Sequence, residues 1–453
     1  MVGMHSPFAP DERARDQVSR ARDAWSSATL QVAIVGAGRS GRAALDLCGA
    51  HGVAAVLLDD RPSEEDVEPI EAATLDRAGL VVVSPGVPRG HPAVANARGQ
   101  GKVVAEVELA SWFIDAPLVG ITGTNGKSTT TALVAHGFER SGRRVFAGGN
   151  LGRPLSELAR TGEPVDFAVV ELSSYQLESV VDLRLEASAW LNLTPDHLDR
   201  YASVEEYSLA KRRILEVART ACVVTWDDDW CRRGAEHAAA LVRWQWRGQP
   251  VAGRPGIAVG DDLVGRRDDG ETYALTGPSL KGRHNQQNVA AAVELWRTLG
   301  LGTDRVPDAI ETFPGLPHRL ERVPTSDGRA WYNDSKATNV AAAVVALGAI
   351  AGPKVLILGG RAKPEDKTPL VEAFPANEVV LVLAIGESAG EWCRAVEGAA
   401  PCEVVGTLDA AVAAACDVDA PTVLFSPACA SFDQFRSFEH RGDVFRSLVE
   451  ANA

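Results

Sequence analysis

The residues best suited to chemistry lie in the run from Gly123 through Thr124, Asn125, Gly126, Lys127 and Ser128 to Thr129. They follow a short apolar stretch, Leu118 to Ile121, and lead into a helical pattern through Leu133, Val134 and Phe138. Glycines between a strand and a helix let backbone N–H groups close around phosphate oxygens. A lysine there reaches the terminal phosphates, and the hydroxyl after it can coordinate Mg2+. The spacing departs from the general phosphate-loop pattern in one respect: Ile121 occupies the position expected to be glycine, and the glycine stands one residue earlier, at Gly120. The run points to use of ATP.

Further candidates recur along the chain. Glu171 ends the apolar run Phe167 to Val170 and precedes a hydroxyl-rich segment, which makes it a candidate Mg2+ ligand or a partner of metal-bound water. Ala187 to Leu193 leads into Asp196 and His197, an acid and an imidazole able to serve a divalent metal directly or through water. Lys211 sits in the helical run Tyr207 to Ile214, where it is either a surface charge or a phosphate-facing cation. Asn285 and Asn288 precede an alanine-rich helix whose start could contact a base, ribose or phosphate. Lys336, Thr338, Lys363 and Ser431 supply two cations and two hydroxyls for an anionic substrate. Cys429 has no histidine base at a recognisable spacing.

The elements that position these residues read as repeated strand-loop-helix units. Near the start, a strand runs into Gly36, Gly38 and Gly41, then a helix, then a strand ending at Asp59 and Asp60, the sequence form of a dinucleotide-type fold. The acidic pair could accept hydrogen bonds from a ribose, or the glycines could serve only tight strand-helix packing. A third strand stops at Pro85-Gly86-Val87-Pro88, and Glu106 to Trp112 leads out of the unit. Boundaries fall near 116 and 318, giving an N-terminal extension over 1–28 and domains over 29–116, 117–318 and 319–453. The extension is expected to be loose, with one short helix around Glu12 to Trp25 and no assigned function.

Composition narrows the classes. The 453 residues exceed one ordinary core, and 45% hydrophobic residues suffice to fill several. A formal charge of -14 argues against nonspecific binding to nucleic acid or an anionic membrane. Seven scattered cysteines fit reduced thiols better than a disulfide framework. No secretory leader or membrane-length apolar span is evident, so a cytoplasmic protein without stable membrane insertion is expected.

Six blocks together resemble the Mur ligase family: Gly-Ile-Thr-Gly-Thr-Asn-Gly-Lys-Ser at 120–128, Glu-Leu-Ser-Ser-Tyr-Gln-Leu-Glu at 171–178, and Asn-Leu-Thr-Pro-Asp-His-Leu-Asp-Arg-Tyr at 192–201. The others are Gly-Arg-His-Asn at 282–285, Asn-Asp-Ser-Lys-Ala-Thr-Asn at 333–339, and Ser-Pro-Ala-Cys-Ala-Ser-Phe-Asp-Gln-Phe at 426–435. The likeness runs over about residues 30–450, and the last two blocks with Ser-Ser-Tyr-Gln lean to the branch that adds D-glutamate.

The resemblance implies an α/β protein of three domains: Rossmann-like and UDP-binding, P-loop ATPase-like, and Rossmann-like again for the amino acid. It implies an ATP- and Mg2+-dependent amide ligase acting on UDP-N-acetylmuramoyl-L-alanine and D-glutamate, as a monomer. Glu171 and His197 match Mg2+ positions, with Ser128 beside them. Lys211 matches a lysine carbamylated by CO2, and so joins Lys127, Glu171 and His197 in the catalytic set. Asn285, Asn288, Arg319 and Asp334 match the nucleotide region. Gly36, Gly38 and Asp59 fall in the UDP region, and Asn150 and Gln176 near the acceptor. Lys336, Thr338, Lys363, Ser431, Phe432 and Phe438 match the D-glutamate pocket, with Phe432 standing where the family has leucine. Two alternatives remain: a related ligase adding another amino acid, and a nicotinamide-dependent oxidoreductase built on the Gly36 motif.

Overall fold

Runs such as 31–35 and 80–83 are apolar at nearly every position, the pattern of strands covered on both faces, and they form the middle of parallel sheets. The computed structural model describes residues 6–27, 29–62, 66–150, 152–280, 282–326 and 328–452, with the His284 side chain left out. Residues 1–5 of the N-terminal extension, Ala28, and Leu151 of the Asn150 loop lie outside the described residues.

Three sheets result. The first orders its strands Val67–Pro69, Ala54–Asp59, Gln31–Val35, Leu80–Val83 and Val103–Ala105, all parallel. Strand order reverses beside Gln31–Val35, so the crevice at its carboxyl end is the position where such sheets take ligands. The second has Leu118–Thr122 between Leu185–Trp190 and Phe167–Glu171, and Val145–Gly149 beyond the latter. On its other side it continues through Ala218–Thr225, Leu241–Arg247 and Gly256–Val259, then through two antiparallel strands, Val264–Arg267 and Thr272–Ala274. The third runs Glu321–Val323, Ala330–Asn333, Thr422–Phe425, Lys354–Gly359, Val379–Ile385 and Cys402–Gly406, antiparallel only at its first pair.

The chain divides into two compact units: 6–276 with 284–311, holding the first two sheets, and 277–283 with 312–452, holding the third. In the former one hydrophobic core is continuous from the first sheet, through Ile34, Leu80 and Val104, to the second, through Leu118, Leu172 and Trp190. Around the second sheet, glycines allow close packing: a Cβ on Gly120 would stand 2.4 Å from Leu185, and one on Gly137 would stand 2.3 Å from Trp296.

Two expectations are corrected. The N-terminal extension is not loose. Its helix, Glu12–Ser26, buries Val18, Ala21 and Trp25 in the shared core, and Phe8 ahead of it is buried too. Its polar face also makes specific bonds: Arg13 donates to the Gly99 carbonyl at 2.8 Å, and Arg22 pairs with Asp182 at 2.6 Å. Nor are all the thiols reduced, because Cys393 and Cys402 form a disulfide. The helix Ala389–Ala395 doubles back into the strand Cys402–Gly406 and brings their Cα atoms to 5.3 Å. Among the described residues no helix is long and apolar enough to cross a membrane.

The segment 106–112 does more than lead out of the first sheet. Glu108 is fully buried and accepts the backbone N–H groups of Val181, Asp182 and Leu183 at 2.8–3.0 Å, and the Trp112 indole N–H at 3.1 Å. One carboxylate therefore satisfies a turn of the neighbouring sheet. Glu108→Ala leaves those donors buried and unpaired, and is expected to cost about 3–5 kcal/mol in urea unfolding. A loss below about 1 kcal/mol would refute this account.

Candidate active site

Parallel strands end together, so the loops that follow them share an edge. At the second sheet, Ile121 pairs with Glu171 and with Ala189 in adjacent ladders. That register brings the phosphate loop, Glu171 and the 192–201 run to one place. Gly123 and Gly126 leave the usual backbone region, at φ +159° and +82°, and the helix Lys127–Arg140 starts immediately after. Asn125 is locked in reciprocal fashion by Asn192: its N–H donates to Asn192 Oδ1 at 2.9 Å and its carbonyl accepts from Nδ2 at 3.1 Å. A Cβ on Gly126 would lie 2.3 Å from Asn288 Oδ1, and Asn288 in turn donates to Asn285 at 3.0 Å. Thus Asn288 stands against the loop, with Asn285 hydrogen-bonded to it. Lys127 donates to the carbonyls of Gly123 and Thr124 at 2.8 and 2.9 Å. Ser128 is half-buried and Thr129 buried, in the first turn of the helix.

Glu171 is buried. Asn150 Nδ2 donates to its Oε1 at 2.6 Å, while Oε2 is buried and has no hydrogen-bond partner among the described residues. A buried carboxylate oxygen without a donor is a costly arrangement for an isolated protein and a suitable one for a hard cation. Among the described residues no three His, Cys, Asp or Glu side chains gather into a complete cage. The unengaged Glu171 oxygen is of the kind that suits Mg2+, which commonly takes one or two protein oxygens and completes its shell with phosphate and water. His197 adopts a left-handed backbone at φ +55°, and its Nδ1 lies 2.8 Å from the Tyr175 hydroxyl. Burial lowers its pKa, favouring the neutral imidazole that a metal ligand requires.

Lys211 is 1% exposed, which removes the surface-charge reading. Its Nζ donates to the Gly123 carbonyl at 2.8 Å and lies 4.8 Å from the centre of the Tyr207 ring. Burial, followed by the Lys127 ammonium, pushes its pKa well below that of an ordinary lysine. Asp196 and Glu171 act on it in the opposite direction. Lys211 is thus within electrostatic reach of Lys127, Glu171 and His197.

Gln176 is buried at the start of the segment after Glu171. Its Oε1 accepts from the backbone N–H and hydroxyl of Ser173, both at 2.9 Å, in a capping box of the short helix Ser174–Leu177. Only its buried Nε2, without a partner among the described residues, remains for an acceptor.

At the first sheet a cleft of about 360 Å³ is lined by Gly36, Gly38, Asp59 and Ser84 among others. Gly36 is required: at φ +101°, a Cβ there would stand 2.7 Å from Ser84, whereas Gly38 faces open space. Asp59 accepts the N–H groups of Ala37 and Arg61 at 2.8 and 3.0 Å, bonds that lower its pKa. Its carboxylate therefore braces the glycine turn. Arg200 joins this edge to the second sheet, pairing with Glu178 at 2.9 Å and donating to the Val87 carbonyl at 2.8 Å.

At the third sheet, Asn333 and Ile357 both pair with Phe425, so the loops after all three strands converge. Lys336 is exposed with its Nζ 4.2 Å from the Phe438 ring centre. Thr338 is half-buried, Ser431 is buried, and Lys363 is exposed. Phe432 is 63% exposed and fills no interior position. Arg319, half-buried, acts electrostatically on Asp334. Sequence reasoning missed Arg441, which is buried and donates to the carbonyls of Ser335 and Cys429 at 2.8 and 3.1 Å. It fixes two motif loops together, and nothing in its own spacing marks it. Asn192, by contrast, opened a motif already in view.

Asp334 is buried, accepting from the Ser426 hydroxyl at 2.8 Å and the Leu320 N–H at 3.2 Å. Burial raises its pKa from 3.8 to about 7. Between those values the folded chain keeps a proton that the unfolded chain has lost, so stability falls as pH rises through the window. Asp334→Asn removes this dependence. Measured by urea unfolding, the variant should gain on the parent by about 2–4 kcal/mol between about pH 5 and about pH 8. A difference that stays constant would refute the raised pKa.

Comparison with known proteins agrees with this geometry. The Mur ligase middle domain model matches residues 121–296, and the Mur ligase, glutamate ligase domain model matches 318–429. A Myxococcus xanthus relative, UDP-N-acetylmuramoylalanine--D-glutamate ligase, is 45% identical, over 93% of this chain and 98% of the relative. An Anaeromyxobacter dehalogenans protein of the same name is 42% identical over the same shares. Among solved structures, UDP-N-acetylmuramate-alanine ligase from Thermotoga maritima superposes with a TM-score of 0.59 at 17% identity, covering 92% of this chain and 98% of that one, a likeness of fold. With two of its models matched in order over the second and third sheets and relatives aligned along nearly their whole length, the chain belongs to the Mur ligase family.

Proposed function

We propose that this chain joins the amine of D-glutamate to the carboxylate of UDP-N-acetylmuramoyl-L-alanine at the expense of ATP, in peptidoglycan precursor synthesis. The observation that carries the chemistry is the meeting, at one sheet edge, of a phosphate loop, a buried carboxylate with one unengaged oxygen, and a buried lysine amine. The relatives named for this reaction supply its substrates.

In the proposed reaction an oxygen of the acceptor carboxylate attacks the γ phosphorus, the bond to the β-phosphate oxygen breaks, and ADP leaves. The amine of D-glutamate then attacks the activated carbonyl carbon, and inorganic phosphate departs as the amide forms and the nitrogen loses its proton. The loop N–H groups bind the phosphates, and Lys127 exchanges its loop carbonyls for phosphate oxygens, offsetting negative charge. Glu171, His197 and Ser128 would hold Mg2+, which supplies charge neutralisation at the transferring phosphoryl group. Asn150 orients Glu171. Asn285, Asn288, Arg319 and Asp334 would serve the nucleotide.

Lys211 invites a covalent step. A neutral amine attacks the carbon of CO2, loses a proton and becomes a carbamate anion, and the burial that depresses the Lys211 pKa favours that neutral amine. The carbamate would place negative charge beside the metal ligands, where an ammonium would repel the metal. Residues 29–116 would bind the UDP portion through the Gly36 edge, and 117–318 the ATP. Within 319–453, Lys336, Thr338, Lys363, Ser431 and Phe438 would receive D-glutamate, whose carboxylates the two lysines suit. One copy carries all three edges, so a monomer suffices, and its substrates belong to the cytoplasm.

The decisive assay measures ADP release while crossing acceptor presence with D-glutamate, L-glutamate and a diamino acid. Release should require the acceptor and D-glutamate together, and equal turnover without the acceptor would sink the ligase reading. Lys127→Ala should lower kcat by about a hundredfold or more, while Lys336→Ala should raise the KM for D-glutamate with kcat little changed. Mass analysis in 13C-bicarbonate should find the added carbon on Lys211. Its absence, together with no rescue of Lys211→Ala by a small carboxylic acid, would count against carbamylation.

A further inference from the structure

The N-terminal segment reaches the support of this site. Phe8 is buried and meets Tyr201 edge-on, with ring centres 6.3 Å apart and planes at 86°. Tyr201 stacks at 5.3 Å on Tyr207, whose ring faces the Lys211 amine and whose hydroxyl lies 3.2 Å from Thr124 Oγ1 in the phosphate loop. Tyr201 also neighbours Tyr175, the hydrogen-bond partner of His197. Phe8 is thus the outermost ring of an aromatic chain that ends on both the buried amine and the imidazole.

The segment is seated for this position. The Arg89 guanidinium lies 4.2 Å from the centre of the Phe8 ring, donates to the Pro7 carbonyl at 3.1 Å, and approaches Glu206, next to Tyr207, at 3.6 Å. Ser6 Oγ donates to the Leu209 carbonyl, two residues before Lys211, at 3.4 Å. Farther along, Gln17 donates to Gly79 and Arg13 to Gly99, both beside the first sheet. A side chain serving only to cover apolar surface has no need of contacts that fix its backbone on the Lys211 helix.

We propose that Phe8 is a positioning residue for the reaction: held by Arg89 and, through the Ser6 hydroxyl, by the Leu209 carbonyl, it sets the Tyr201–Tyr207 pair and through it the placement of Lys211 and His197. The inference rests on the proposed ligase reaction for its kinetic readout and is independent of it for its structural one.

The test compares Phe8→Ala, Phe8→Leu and Phe8→Tyr in the full chain, well below the melting temperature of each. An aromatic contact of this type corresponds to about two- to tenfold in an equilibrium or rate. Phe8→Ala and Phe8→Leu should lower kcat for acceptor-dependent ADP release within that range and leave the KM for D-glutamate unchanged. Phe8→Tyr, which keeps the ring, should restore kcat. Hydrogen exchange should quicken in both aliphatic variants at amides 197–211 and not in the third sheet. Phe8→Leu retains apolar volume, so it reports on the ring even if Phe8→Ala fails to fold. Parental kcat and parental exchange in Phe8→Leu would overturn the proposal. If the parent itself shows no acceptor-dependent turnover, the ligase reading fails, while the exchange data still decide whether Phe8 sets this segment.

Discussion

A buried amine held against a backbone carbonyl governs how this chain can be built. Lys211 has little water to solvate an ammonium, and its main hydrogen-bond acceptor is the carbonyl of Gly123, in the loop that would receive phosphate. Helix and loop are therefore tied at the buried amine. The helix Val204–Glu216 must bring its apolar face inward to bury Tyr207, Ile214 and Leu215, and this same face carries the lysine. Lys127, Lys211 and His197 interact electrostatically with one another and Lys211 with the buried Glu171, so local charge balance depends on what binds there.

Much of the frame was legible because it rests on local rules. Apolar runs ending in glycine or hydroxyl residues gave the central strands, and their common direction gave the edges on which Glu171, Asn192 and Ser426 fall. The phosphate loop was legible from the strand, glycines and lysine together, despite the shifted Gly120. Glu171 stood out for a sound reason: an acid at the end of an apolar strand has few structural excuses.

What escaped depended on contacts between distant segments. Nothing around Glu108 announces that its carboxylate will cap a turn 73 to 75 residues downstream. The polar composition of the first 28 residues hides the spacing of Val18, Ala21 and Trp25 along one helix face. Cysteine spacing alone could not foresee that a helix and an edge strand would fold Cys393 onto Cys402. Lys211 was ambiguous for a related reason, since charged neighbours such as Arg212 and Arg213 make its helix look exposed, yet both arginines are themselves buried against Glu216.

The guanidinium of Arg441 carries a consequence for the order in which the molecule is made. It belongs to the helix Phe438–Asn452, and it fastens loops that begin at Ser335 and Cys429. A chain emerging from the ribosome can form the two earlier sheets and most of the third while these loops still lack their common anchor. Only when the helix beginning at Phe438 has emerged and docked can the third edge take its shape. Formation of the third edge is thereby delayed until the helix Phe438–Asn452 has been made, and a nascent chain paused before Phe438 would possess the phosphate loop without a fixed third edge.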